Sequence, residues 1–239
     1  LDGEAICAFL DVHKPTVVIN ATGYNAVDLC ETDNEEKKKA TELNADAPGF
    51  LADLCKDHGA TLVHYSTDYV FSGEKKEGYV ESDSPDPISV YGQTKAEGEK
   101  HALKKGEELY IIRISRLFGQ PGTSTKSKKS FVDTMISLVR DGGKTELSVV
   151  SDEIGSPSYA PDVAMFTKKL LEDNAPFGIY HGANEGECSW YDLAKASFEI
   201  AGLPVQVNPC ASSAYPRPAR RPMHSTLLNT KRPKQRGWR

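Results

Sequence analysis

The sequence lacks the features that define several large classes of protein. Its longest apolar runs, at residues 16–19 and 109–112, are far shorter than the roughly 20 residues that a membrane-spanning helix needs. No signal-peptide pattern is visible, although the chain begins with Leu1 rather than Met. The five cysteines never form a C-x-x-C pair and the six histidines are never four residues apart, so spacing predicts neither a disulfide framework nor a metal site. This pattern favours a reducing cytoplasm.

Excess positive charge is also missing from most of the chain. The formal net charge is −5, which gives no general attraction to nucleic acid. The basic residues are nevertheless concentrated at the C-terminal end, where residues 217–239 contain eight lysines and arginines and no acid. Such a run is often a solvated tail, but Arg217 to Arg221 could equally supply cations to a phosphate-bearing ligand.

A third absence concerns nucleotide binding. No G-x-G-x-x-G or G-x-x-G-x-x-G turn occurs anywhere in the sequence. A dinucleotide-binding domain opens with a strand, a glycine-rich turn and a helix. If the chain has such a domain, its first βα unit is therefore missing, and we expect a truncation at the N-terminus.

The remaining pattern alternates between strands and helices. Helical spacing at residues 4–13, 33–58 and 89–105 alternates with short apolar strands at 16–20, 61–66 and 109–115. This alternation predicts parallel strands joined by helical crossovers, the doubly wound α/β (Rossmann-like) arrangement. Helical spacing recurs at 131–139, 162–171 and 190–201. We expect residues 1–120 to be the remainder of a dinucleotide-binding domain, and 121–239 mainly a smaller substrate-binding lobe with some return to the main sheet.

The clearest chemical signal is Tyr91-Gly-Gln-Thr-Lys95 at the start of a predicted helix. Four residues make about one helical turn, so the phenol and the ammonium project from one face. A nearby ammonium favours the phenolate, which suits Tyr91 for acid–base work. The pair alone is a weak signal. A second hydroxyl, Thr67, follows the strand that ends at Ser66, where the ligands of such sheets bind.

With these residues in place, the sequence resembles the extended short-chain dehydrogenases, and within them the dTDP-4-dehydrorhamnose reductase family. The similarity runs in order through nearly the whole chain. The matching segments are Pro15–Ala21, Ala26–Asp28 with Glu31, Leu43–Asn44, His64–Phe71, Val90–Gly92, Thr94–Lys95, Gly98–Lys100, Arg113 with Ser115, Asp152, Gly155, Pro157, Ser213–Pro216 and Arg221–Pro222.

The resemblance implies an NADPH-dependent (or NADH-dependent) oxidoreductase of dTDP-rhamnose biosynthesis, which reduces the 4-keto group of a nucleotide-linked deoxysugar. It implies that Tyr91 protonates the C4 oxygen, Lys95 holds the nicotinamide ribose and Thr67 aligns the carbonyl. Further cofactor contacts implied are Asp2, Ala21, Thr22, Gly23, Tyr24 and Tyr65. The implied substrate contacts besides Thr67 are Val27, Asp68, Tyr69, Arg116 and Arg221.

The expected partners are a nucleotide-sugar substrate and, as one option, a second copy of the chain in a homodimer; neither nucleic acid nor a membrane is expected. One departure stands out: Arg116 occupies a position where the family often has an aromatic residue, so the identity of the sugar stays open. Two alternatives also stay open, a non-catalytic regulatory protein of the same fold and a sugar-nucleotide epimerase or dehydratase. Because Asp68 is followed by Tyr69 rather than by Glu, a dehydratase is the less favoured of these enzymes.

Overall fold

A computed structural model describes residues 2–120, 122 and 128–231. Its main sheet has four strands, all parallel, in the order β1-β2-β3-β8. These strands are β1 (Val17–Asn20), β2 (Thr61–Thr67), β3 (Leu109–Ile114) and β8 (Gly178–His181). The first three strands lie where the apolar runs predict them, whereas β8 comes from beyond residue 120 and pairs with β3.

Helices cover both faces of this sheet. On one face, Ala52, Cys55 and Ala102 pack with Leu62 and Ile111 from the strands. On the other face, strand residues of alternate position pack against a later helix; the cluster comprises Val63, Tyr110, Ile112, Phe166, Leu170 and Tyr180. Because successive side chains of a strand point to opposite faces, burial on both sides confirms the predicted doubly wound α/β fold.

In the first half, the helices at Gly3–His13 and Val90–Lys105 follow the predicted boundaries closely, whereas the short helix at Leu29–Thr32 was not predicted. The helices of this half are α1 (Gly3–His13), α2 (Leu29–Thr32), α3 (Asn34–Ala40), α4 (Ala47–Asp57) and α5 (Val90–Lys105), with a 3₁₀ turn at Asp68–Val70. Helix α1 ends at Lys14, which adopts the left-handed conformation just before Pro15. Asp2 caps its other end by accepting a hydrogen bond from the backbone of Ala5 at 3.0 Å.

The single helix predicted over residues 33–58 is interrupted. Between α3 and α4 lies a π-helical segment, Thr41–Asp46. Pro48 has no N–H to offer the carbonyl of Asn44, so the regular hydrogen-bond ladder cannot continue there. That carbonyl faces Gly98 of α5, where a Cβ atom would come within 1.9 Å of it. The bulge and the glycine together let the two helices approach closely.

The described part of the second half contains three helices and several short strands. Helices α6 (Phe131–Arg140), α7 (Ala160–Glu172) and α8 (Trp190–Ile200) match the predicted periodic segments. The strands are β4 (Leu117–Phe118), β5 (Glu146–Val150), β6 (Ile154–Gly155), β7 (Ser158–Tyr159), β9 (Cys188–Ser189), β10 (Gln206–Cys210) and β11 (His224–Ser225), with a 3₁₀ turn at Ser212–Ala214. They form three small sheets, β10-β5, β11-β6-β9 and β4-β7. No helix in the described ranges combines the length and apolar composition that crossing a bilayer requires.

Candidate active site

A cleft of about 320 Å³ lies at the carboxyl ends of β1, β2 and β3, the edge at which open parallel sheets bind ligands. Its walls come from the loop after β1, the end of β2, the first turn of α5 and the segment after β3. The lining residues are Ala21–Asn25, Val27, Tyr65–Tyr69, Tyr91, Lys95 and Ile114–Leu117. The structure thus brings together every residue of the predicted site except Asp2 and Arg221.

The first turn of α5 positions Tyr91. Ser89 caps the helix by accepting a hydrogen bond from the backbone of Gly92 at 3.1 Å. Gly92 lets this turn pack directly on the 3₁₀ turn after β2, because a Cβ atom there would lie 2.2 Å from the carbonyl oxygen of Tyr69. The rings of Tyr69 and Tyr91 consequently meet edge to face, with 5.4 Å between their centroids.

Lys95 lies one turn further along the same helix face. Its ammonium donates a hydrogen bond of 2.7 Å to the carbonyl oxygen of Tyr65, near the end of β2. Burial lowers the pKa of Lys95 to about 8, and the nearby Glu99 opposes part of this shift. The ammonium is therefore fixed at the strand end and titrates close to neutral pH.

Thr67 and Asp68 form the floor of the cleft. The Thr67 hydroxyl donates to Asp68 Oδ1 at 3.0 Å and accepts from the backbone of Tyr69 at 3.3 Å. Ser115 donates to the other carboxylate oxygen at 2.7 Å. Burial raises the pKa of Asp68, and hydrogen bonds from Ser225, Ser115 and Thr67 counteract that rise. Both oxygens of this carboxylate are thus engaged within the protein.

The expected lowering of the Tyr91 pKa is not found. Burial raises the pKa of the Tyr91 phenol, and a hydrogen bond with Thr67 offsets only part of that rise. The net shift is upward, so the prediction of a lowered Tyr91 pKa is wrong for the protein without ligand. The physical reason is that desolvation disfavours the phenolate. Tyr91 therefore carries its proton at neutral pH, as a proton donor must.

Asn44 shapes the wall formed by the loop after β1, a role that sequence reasoning missed. Its side chain accepts from the backbone of Tyr24 at 2.8 Å, and donates to the carbonyl of Tyr24 at 2.9 Å and to Thr94 at 3.2 Å. Asn20 similarly receives hydrogen bonds from the backbone and hydroxyl of Thr22. Asn44 lies in the matching Leu43–Asn44 segment, and that match was the sequence signal that could have identified it.

Arg116 forms another wall of the cleft. Its backbone adopts the left-handed conformation, with φ of 47°. Its guanidinium donates to the carbonyl of Cys188 at 2.6 Å and to that of Glu153 at 2.9 Å. It also lies 4.2 Å from the ring centroid of Trp190, whose indole donates to the Glu153 carboxylate at 2.9 Å. We call Arg116, Glu153, Cys188 and Trp190 the arginine wall. The guanidinium of Arg116 thus connects the other three residues of this wall.

Two predicted contacts lie outside the cleft lining. Arg221 pairs with Asp28 at 2.8 Å and lies 5.8 Å from the ring centroid of Tyr69, so it adjoins the cleft behind that ring. Its Nη1 is buried and has no hydrogen-bond partner among the described residues. Asp2 is occupied in capping α1, and its role near the adenine end of a cofactor stays a prediction.

Comparison with known proteins identifies the family of this chain. The model of one protein family, described as the RmlD substrate binding domain, matches residues 1–239. The chain belongs to this family. The resemblance inferred from the sequence is thereby confirmed.

Individual relatives of this family match over most of the chain. A dTDP-4-dehydrorhamnose reductase of Aggregatibacter actinomycetemcomitans is 36% identical over 95% of this chain and 78% of its own length. A probable dTDP-4,6-dihydroxy-2-methyloxan-3-one 4-ketoreductase of Streptomyces antibioticus is 38% identical over 94% of this chain and 73% of its own. The crystal structure of a Bacillus anthracis dTDP-4-dehydrorhamnose reductase in complex with NADP superposes with a TM-score of 0.88, at 34% identity, over 96% of this chain and 77% of that one.

Proposed function

We propose that this chain carries out the NADPH-dependent reduction of the 4-keto group of a nucleotide-linked deoxysugar, of the dTDP-4-dehydro-L-rhamnose type. The observation that carries the proposal is the convergence of Tyr91, Lys95 and Thr67 in one cleft at the carboxyl edge of a parallel sheet. The names of the relatives, which are reductases and a ketoreductase of dTDP-sugars, support the same reaction.

The residues of the cleft fit a nicotinamide dinucleotide. Ala21 and Gly23 leave the backbone after β1 open to a ligand, and the nearest atoms to a Cβ added at Gly23 are Asn44 Oδ1 at 3.4 Å and the Lys95 ammonium at 3.9 Å. Ser66, which lines the same cleft, has a buried hydroxyl without a partner among the described residues. NADPH is the favoured cofactor because the B. anthracis relative was solved with NADP. When bound, the cofactor supplies the hydride.

Acid catalysis by the chain itself requires one proton at the carbonyl oxygen. Tyr91, protonated at neutral pH, would donate its phenolic proton to the oxygen as negative charge develops there. The Thr67 hydroxyl can rotate its hydrogen from Asp68 to the same oxygen, because hydroxyl donors reorient freely. The Lys95 ammonium, held at the Tyr65 carbonyl, would bind the ribose and stabilise the tyrosinate left behind until solvent reprotonates it.

The same geometry supports an assignment of the substrate side of the cleft. We assign sugar contacts to Val27, Tyr69 and Arg116, which line the cleft together with the catalytic groups. Asp68 contributes by orienting Thr67 and Ser115. Arg221 is the proposed diphosphate contact, because it is partly buried beside Tyr69 and a guanidinium fork matches phosphate oxygens.

The organisation of the chain belongs to the same proposal. Residues 1–120 would supply the cofactor groove and the catalytic residues, and residues 121–239 mainly the substrate lobe, with β8 returning to the main sheet. We assign the activity to the cytoplasm, since all five cysteines are free. Assembly as a homodimer stays a prediction.

The deciding experiment measures NADPH oxidation by the complete protein with dTDP-4-dehydro-L-rhamnose and identifies the sugar product. We expect stoichiometric conversion to dTDP-L-rhamnose. A regulatory protein of this fold would bind NADPH without consuming it. An epimerase would change the configuration of the sugar with no net oxidation of the cofactor. Either of those two results would overturn the proposal.

A further inference from the structure

Three metal-ligating side chains lie close together outside the lining of the cleft. Cys7 and Asp11 are four residues apart on α1 and therefore share one face of the helix. His58 follows the last turn of α4 and contacts them. One ligand atom from each residue, the thiol sulfur, a carboxylate oxygen and a ring nitrogen, lies within 4.8 Å of the other two. Sequence spacing predicted no metal site, because Asp11 and His58 are 47 residues apart in the chain.

The imidazole of His58 is oriented as in a metal site. Its Nδ1 lies 2.8 Å from the carbonyl oxygen of Leu54, an acceptor only, so this nitrogen carries a proton. The other nitrogen, Nε2, lies 3.1 Å from Asp11 Oδ1. A backbone carbonyl that fixes the tautomer and directs the second nitrogen at the ion is the usual outer partner of a metal-bound histidine.

The charge beside the ring also favours a cation. The Asp11 carboxylate lies 3.1 Å from Nε2, so a metal ion bound at this nitrogen would be next to a negative charge. Asp11 is 68% exposed in its side chain, so its carboxylate can turn toward an ion without any movement of the backbone.

From this arrangement we propose that Cys7, Asp11 and His58 bind a zinc ion, with water as the fourth ligand. Thiolate, imidazole and carboxylate are the three donor types that zinc takes in proteins, and its tetrahedral bonds of about 2.0–2.3 Å require only a small contraction of the cluster. The thiol gives up its proton on binding, and zinc replaces a proton at Nε2. No oxidation or reduction takes place.

The expected consequence is that the bound ion cross-links α1 and α4. The ion would join the helix that precedes β1 to the helix that precedes β2, so zinc should raise the thermal unfolding temperature. The cluster contains none of the proposed catalytic residues. Removal of zinc by a chelator should therefore leave the turnover of the sugar nucleotide unchanged.

The test uses the complete protein after treatment with a chelator, titrated with Co²⁺ as a spectroscopic substitute for zinc. We expect one equivalent to produce the near-ultraviolet band of a thiolate–cobalt bond together with the visible bands of a four-coordinate ion. One equivalent of Zn²⁺ should displace the Co²⁺ and abolish both the near-ultraviolet band and the visible bands. Cys7→Ser should remove the thiolate band, and His58→Gln should weaken binding by at least about tenfold, since even outer partners of a metal are worth that much. Affinity should also fall as the pH is lowered and His58 gains its proton.

Matched controls come from the same chain. Cys210→Ser removes a half-buried thiol elsewhere, and His13→Gln removes a histidine of α1 outside the cluster; both should titrate like the unmodified protein. Metal-free thermal unfolding establishes that each variant is folded. The proposal is overturned if the unmodified protein shows no thiolate band, if the band survives Cys7→Ser, or if His58→Gln binds Co²⁺ as tightly as the parent.

Discussion

The two sides of the cleft are built in different ways. The catalytic side, Thr67, Tyr91 and Lys95, comes from a short stretch of chain, and its longest anchoring hydrogen bond spans 30 residues, from Lys95 to Tyr65. The arginine wall connects Arg116 to residues 37 and 72 positions away. The first side depends on a strand end and a helix cap, which local sequence encodes. The second depends on how the smaller sheets and α8 pack around one guanidinium.

This difference suggests a division of labour within the proposed reaction. The catalytic side carries groups that act on any ketone brought to the nicotinamide. The arginine wall meets the part of the substrate that varies between sugars. Substitutions on the catalytic side should lower kcat for every sugar alike, whereas those in the wall should change KM in a manner that depends on the sugar.

The largest expected effect belongs to Tyr91→Phe. This change removes one hydroxyl and leaves the ring packed against Tyr69. We expect kcat to fall by about 10²-fold or more, equivalent to about 2.7 kcal/mol, for dTDP-4-dehydro-L-rhamnose and for alternative sugars equally. Steady-state kinetics with two substrates check this. A decrease confined to one sugar would break the proposed division.

Gly92→Ala tests how the catalytic side is assembled. A Cβ atom at this position would lie 2.2 Å from the carbonyl oxygen of Tyr69, so α5 must move away from the 3₁₀ turn. Overpacking of this kind typically costs about 1–3 kcal/mol of unfolding free energy, and activity should fall with it. Urea unfolding measures the loss. Gln93→Ala, at the next and exposed position of the same helix, is the matched control and should be close to neutral.

Arg116→Met tests the arginine wall. The variant loses hydrogen bonds to the carbonyls of Cys188 and Glu153 and the stacking on Trp190. We expect KM for the sugar nucleotide to rise roughly tenfold, about 1.4 kcal/mol, with kcat nearly unchanged and KM for NADPH unaffected. Arg140→Met removes an exposed arginine at the end of α6 and serves as control. An equal loss of kcat for every sugar would assign Arg116 to catalysis instead.

The smallest effect concerns pH. The pKa of Lys95 in the protein without ligand is lowered to about 8, so its ammonium is lost as the pH rises through that value. If the ammonium binds the cofactor ribose, kcat/KM for NADPH should fall to about half its maximum near pH 8, because this parameter follows the ionisation of the free enzyme. Lys95→Arg should move the decline to higher pH. A profile that is flat from pH 7 to 9 in the parent would contradict the assigned role.

The same pKa shift has a consequence for stability. The unfolded chain keeps the Lys95 proton up to its usual pKa of about 10.4, whereas the folded chain releases it near 8. Because the unfolded state binds more protons between these values, this group makes folding more favourable as the pH rises through that window. Comparison of the unfolding free energies of the parent and Lys95→Met across the window isolates the contribution.

Sequence reasoning succeeded where structure is set locally. Apolar periodicity located β1, β2, β3 and every long helix of the first half, and the Tyr91–Lys95 spacing placed both side chains on one face of α5. It failed where structure depends on distant partners. Pro48 interrupts the regular hydrogen-bond ladder, but the glycine that accommodates the Asn44 carbonyl, Gly98, belongs to another helix. Nothing in the local sequence states that pairing.

The electrostatics of the site were also beyond local reasoning. The proximity of Lys95 suggested a lowered pKa for Tyr91, but burial, which depends on the whole fold, dominates and raises it. The resemblance implied that Arg116 contacts the substrate, yet the folded chain directs its guanidinium at two carbonyls and an indole. In both residues a long-range environment reversed or redirected what the residue type alone implied.

The most direct test of the account is a crystal structure of the complete protein with NADP⁺ and the product sugar nucleotide. We predict that the C4 hydroxyl oxygen lies within about 2.6–3.2 Å of the Tyr91 phenol, the range for direct proton transfer, with Thr67 in hydrogen-bonding contact with the same oxygen. A sugar bound with C4 directed away from Tyr91, or bound outside this cleft, would contradict it.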